Sequence, residues 1–131
     1  MKRLIFISII LILTKQIYAS TSSSYLISQL AFKNYDYSTS LSDFDLNRSY
    51  YSNTELLDKI IAAVITEDLS QANKIANKLI EKDEDNQEAY IVKLVYLYIN
   101  KEIKKIKKLY KETQNKNELI DFIFFNNSEL K

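Results

Sequence analysis

The chain has 131 residues, 47% of them hydrophobic and 27% charged, with 18 basic against 17 acidic side chains, a composition that suits one globular domain around one core. It contains no Gly, Pro, Cys or His. Gly-rich phosphate loops, dinucleotide fingerprints and strained nucleophile elbows therefore lack the residue that lets backbone turn sharply or approach a ligand, and zinc sites, thiol nucleophiles, haem attachment and imidazole acid–base catalysis lack their side chains.

Lys2 and Arg3 open the chain, Leu4 to Leu13 is apolar except for Ser8, and Ile17-Tyr18-Ala19 ends in a small residue. That order of charge, apolar run and small residue predicts a secretory signal peptide over 1–19, cleaved after Ala19. The run is about half the roughly 20 residues a spanning helix needs, so no membrane span is expected after cleavage. A lipid-anchored product would need a Cys at the cleavage point, and there is none. The expected product is therefore periplasmic or secreted. Cleavage removes Lys2, Arg3 and Lys15 from the 18 basic residues, leaving 15 against 17 acidic ones and a net charge near −2. Nucleic acid is not expected as a partner on that balance.

Residues 20–23 read as a flexible polar linker, and Ser24 as the cap of a first helix. Further helix starts are marked by a side-chain acceptor followed three residues later by Glu or Gln: Ser52 with Glu55, Asp68 with Gln71, Asp85 with Glu88, and Asn115 with Glu118. After Asp68, the residues Leu69, Ala72, Ile75, Ala76, Leu79 and Ile80 fall on one helical stripe, with Lys74, Asn77, Lys78 and Glu81 outside it. Tyr90 to Ile99 is apolar almost all round and reads as a buried central helix.

Tyr37, Leu69 and Ile103 hold the same place after a polar turn, at spacings of 32 and 34 residues. Ser40, Ala72 and Ile106 align next, then Phe44, Ala76 and Tyr110, and Ala31, Ala63 and Leu97 align in the preceding helices. Spacings of this length belong to stacked helix pairs.

Ser24-Tyr25-Leu26, Tyr35-Asp36-Tyr37 and Glu55-Leu56-Leu57 carry a further likeness. With the polar link Asp83-Glu84-Asp85-Asn86, the sequence resembles the tetratricopeptide-repeat family, in particular its secreted bacterial members, over nearly all of residues 24–116. It departs from the family in lacking the turn Gly and link Pro, and in placing Ser40 and Ile106 where a small Ala is usual, so the third repeat is expected to pack loosely or differently. The resemblance implies an all-α fold, a short right-handed α-solenoid of helix-turn-helix repeats over about 24–52, 53–86 and 87–116, with a terminal helix over 117–131.

It also implies a concave groove lined by the first helix of each pair: Tyr25, Gln29 and Phe32, then Leu57, Ile61, Val64 and Ile65, then Ile91, Val95 and Tyr98. Two roles are open to these side chains. An exposed apolar patch marks a partner surface, whereas small helical stacks bury most of their aliphatic residues, which favours core for Leu57, Ile61 and Ile91.

Lys101, Lys104, Lys105, Lys107, Lys108 and Lys111 suggest an anion site but share a helix with Ile103, Ile106, Leu109 and Tyr110, which makes a solvated basic face the simpler reading. Glu81, Asp83, Glu84 and Asp85 lack the alternating ligands and central Gly of a calcium loop and read as the link between repeats. No catalytic residue, metal or cofactor is expected, because every acidic residue has a plainer place at a cap, turn or polar face.

The run Leu119-Ile120-Asp121-Phe122-Ile123-Phe124-Phe125 is apolar where a solenoid normally ends in a polar face. It is expected to fold back on the third repeat, to mediate self-association, or to mark a shortened relative of longer repeat proteins. The functional expectation is an exported adaptor that binds a peptide or protein segment in its concave face. The alternative is a self-associating structural remnant with no separate ligand.

Overall fold

Helix is the one regular structure among the described residues, and the turns between the helices are held by backbone groups in place of Gly and Pro. The computed structural model describes residues 23–47 and 49–113. The expected signal peptide, most of the linker, the Asn115 cap and the apolar run 119–125 lie outside the described residues. Among the described residues no helix is long and apolar enough to cross a membrane.

The chain divides into two compact units, one up to Tyr51 and one from Ser52 onward. In the first, α1 covers residues 23–33, α2 is Tyr37–Leu41 and α3 is Phe44–Asn47. Ser23 and Ser24 are already helical, so Ser24 is not the cap that its position in the sequence suggests. Where the repeat pattern calls for one second helix, the unit has two short ones. The Ser42 amide and hydroxyl both donate to the Thr39 carbonyl, at 3.3 and 2.8 Å, and such local bonds compete with the helical ladder in a Ser-, Thr- and Asp-rich stretch.

The unit closes on aromatic contacts. Tyr51 is fully buried, stacks on Phe44 at 5.9 Å and 5°, and meets Tyr25 at 5.4 Å. The Ser28 hydroxyl donates to the Ser40 carbonyl at 2.7 Å and lies 3.2 Å from the Tyr51 hydroxyl, so these buried polar groups are satisfied.

In the second unit, α4 (Asn53–Ile65), α5 (Leu69–Lys82), α6 (Gln87–Ile99) and α7 (Ile103–Thr113) pack each against the next. Ser52 and Glu55 form the expected reciprocal capping box at the start of α4. Asp68 caps α5 by accepting from the Gln71 amide at 2.9 Å. The cap of α6 is Asn86, accepting from the Ala89 amide at 3.0 Å, and not Asp85 as the sequence spacing suggested. Asp83 ends α5 and accepts from the Asn86 side chain at 3.4 Å, which places Asn86 at the helix start.

The amphipathic reading of α5 holds: Ala72, Ile75, Ala76 and Leu79 are fully buried, while Lys74 and Glu81 are exposed. Ile106 is also fully buried, in a cluster with Leu94, Leu97 and Leu109, against which Tyr90, Tyr96, Ile103 and Tyr110 pack. The larger residue in the third position thus fills the α6–α7 contact.

One turn geometry recurs in both units. The Tyr35 amide donates to the Phe32 carbonyl and the Asp36 amide to the Ala31 carbonyl; Glu67 and Asp68 donate likewise to Val64 and Ala63, and Lys101 and Glu102 to Tyr98 and Leu97, all at 2.9–3.1 Å. These are paired Schellman closures, which need a left-handed residue just past the helix. Tyr35, Glu67 and Lys101 take that conformation, with φ of 62°, 59° and 56°. Their spacings of 32 and 34 residues reproduce the period read from the sequence.

Candidate functional site: an apolar groove between two helices

On α4, the apolar residues Leu57, Ile61, Val64 and Ile65 recur at helical spacing beside the face that buries Leu56, Ile60 and Ala63, and the buried Ile60 borders both. On α6, Ile91 and Val92 recur the same way beside Glu88. Together these side chains line an open groove of about 440 Å³. Its walls are aliphatic, and Glu88, in the first turn of α6, is their one charged member. Glu88 makes no ion pair or hydrogen bond among the described residues.

Of the residues expected to line a groove, Leu57, Ile61, Val64, Ile65 and Ile91 come together here. The preference for core at Ile61 is corrected. Ile61 is 49% exposed, Val64 46% and Ile65 52%, because the neighbouring α5 covers a different face of α4. The reading of Tyr90 to Ile99 as a buried central helix is corrected in part: the segment is helical, but Val95, Tyr98 and Ile99 are 41–55% exposed. Only Ala89, Leu94 and Leu97 of that helix are buried. Val95 and Tyr98 extend the apolar stripe of Ile91 along α6 beyond the groove itself.

Tyr25, Gln29 and Phe32 belong to the first unit and are half-buried there. Phe32 meets the edge of Tyr37 at 5.7 Å, and Tyr25 packs on Tyr51, so both rings have internal contacts. The Gln29 amide nitrogen is buried without a hydrogen-bond partner among the described residues. Leu119, Ile120, Phe122, Ile123, Phe124 and Phe125, expected at a self-association surface, lie outside the described residues.

Ile60, Val92 and Glu88 are lining residues that the sequence reading left out. Ile60 and Val92 sit one position from expected groove residues, where a stripe read at 100° per residue blurs into its neighbours. Glu88 drew notice only as half of a cap.

The basic residues of α7 behave as a solvated face. Lys104, Lys105, Lys108 and Lys111 are exposed; Lys105 pairs with Glu102, and Lys108 approaches Glu112 at 3.7 Å. The unusual cation is Lys59 on α4, which is fully buried. Burial lowers its pKa to about 8, opposed by the charges of Asp58 and Glu55. Burial likewise raises the Asp58 carboxyl.

No protein-family model matches the chain, and neither does any curated protein or solved structure.

Proposed function

We propose that this chain is an exported helical-repeat module of the tetratricopeptide type that binds an apolar peptide or protein segment in the α4–α6 groove. The observation that carries the reading is the groove itself. About 440 Å³ is lined by aliphatic side chains, three of which remain roughly half exposed on a helix that already has a separate buried face. A monomeric domain gains nothing in stability from leaving Ile61, Val64 and Ile65 in water, and contiguous apolar surface of this kind suits helix-in-groove or extended-peptide docking. The recurrence of one left-handed turn at spacings of 32 and 34 residues supports a repeat architecture. Export rests on the charged start, apolar run and Ala19 of residues 1–19. A composition without His or Cys supports a binding role over catalysis.

The reading is tested with a fluorescent amphipathic peptide of Leu and Lys, its Leu residues at i, i+3, i+4 and i+7, titrated with the full chain and with Val64→Asp. Fluorescence anisotropy should show saturable binding, weakened at least tenfold by the substitution while circular dichroism stays unchanged. Equal binding by both chains would refute the assignment of the groove.

A further inference from the structure

The groove lies near the end of the described chain. α6 and α7 are joined by the tight turn at Asn100–Glu102 and pack against each other, with Tyr90 near the start of α6 and Tyr110 near the end of α7 both on the Leu94, Leu97, Ile106 and Leu109 cluster. α7 therefore runs back toward the first turns of α6 and ends at Thr113. The groove residues Glu88, Ile91 and Val92 belong to those same turns. Leu119 follows Thr113 by six residue steps, a reach of about 20 Å when extended. That is about twice the diameter of a helix. Within that reach comes Leu119-Ile120-Asp121-Phe122-Ile123-Phe124-Phe125, which has one charged member.

Charge offers one complementary pair. Lys116 precedes the apolar run by three residues, and Glu88, whose carboxylate has no ion pair or hydrogen bond among the described residues, lines the groove in the first turn of α6. We infer that the α4–α6 groove receives residues 119–125 of its own chain, with Lys116 directed to Glu88, so that an outside partner must displace an internal ligand. The inference rests on the reading of the groove as a receptor for apolar segments, and it names the first such segment. A linked ligand competes at an effective concentration in the millimolar range for a short connection. The chain then shields its own aliphatic surface until a tighter-binding segment arrives.

The absence of Cys makes the test direct. In the full chain, Val64→Cys combined with Phe122→Cys is oxidised and read by mass spectrometry. A control pairs Phe122→Cys with Ser70→Cys, an exposed site on α5. The expected result is an intramolecular crosslink in the Val64 pair at least tenfold faster than in the control. Equal rates overturn the inference, and a crosslink formed between chains overturns it in favour of a second copy as the occupant. A second measurement guards against a misfolded pair: Phe122→Ser with Phe124→Ser should raise affinity for the Leu–Lys probe peptide at least tenfold, and unchanged affinity counts against the inference. A probe that binds the groove without any Val64–Phe122 crosslink leaves the proposed function standing and removes only the internal ligand. An intramolecular crosslink with no probe binding under either condition does the reverse.

Discussion

Tyr35, Glu67 and Lys101 hold left-handed backbone in a chain that has no Gly to place there. For a residue with a Cβ that conformation costs roughly 1–2 kcal/mol, part of which Gly would return through the greater entropy of its unfolded chain. Glu67→Gly should therefore raise unfolding free energy by about 0.5–1 kcal/mol in urea titration, whereas the β-branched Glu67→Val should lower it. A destabilised Glu67→Gly would show that the Glu67 side chain holds the turn. Lys59 gives a second residue-scale expectation. Its pKa is about 8 in the fold against about 10.4 in the unfolded chain. Between those values the unfolded state binds the extra proton, so this residue makes stability rise with pH from about 8 to 10.5, by at most about 3 kcal/mol, and adds no slope below pH 8. Lys59→Met should remove that slope, seen as a difference between the two proteins in denaturant midpoints across the window; parallel profiles would contradict it. Lys59 was illegible in the sequence because a lysine between Asp58 and Ile60 looks like any solvated cation, and its burial is set by tertiary packing.

Elements are where the sequence speaks most plainly, and where it errs by single positions. The Ser52–Glu55 box and the Asp68 cap form as read, since each joins a side-chain acceptor to an amide three residues on. Asp85 and Asn86 offer two acceptors in succession, and the local spacing cannot choose between them. The Asp83 contact to Asn86 supplies the choice. Asn86→Ala should accordingly cost about 1 kcal/mol, and Asp85→Ala a few tenths at most, as thermal unfolding of the two variants will show. The reverse ranking would restore Asp85 as the cap. The break between α2 and α3 was not legible, because the alignment of Ser40 and Phe44 with Ala72 and Ala76 records burial, not helical continuity. Both positions are indeed buried, on a chain that turns once, at residues 42–43, between them.

Over the whole molecule, the helical class and the 32- and 34-residue period were readable because one turn geometry repeats with its backbone bonds intact. The groove was readable only in part. An aliphatic residue on a helix looks the same in sequence whether a neighbour covers it or water does, which is why Ile61 read as core and emerged half exposed. The proposed role of the α4–α6 surface in binding rests on exposure of that kind, and methyl NMR addresses it directly. With isoleucine methyls labelled in the full chain, the Leu–Lys probe peptide should shift Ile61, Ile65 and Ile91, while the fully buried Ile75 and Ile106 stay in place. Shifts confined to isoleucines outside the groove, or no shifts at saturating peptide, would contradict the assignment of this groove as the site of recognition.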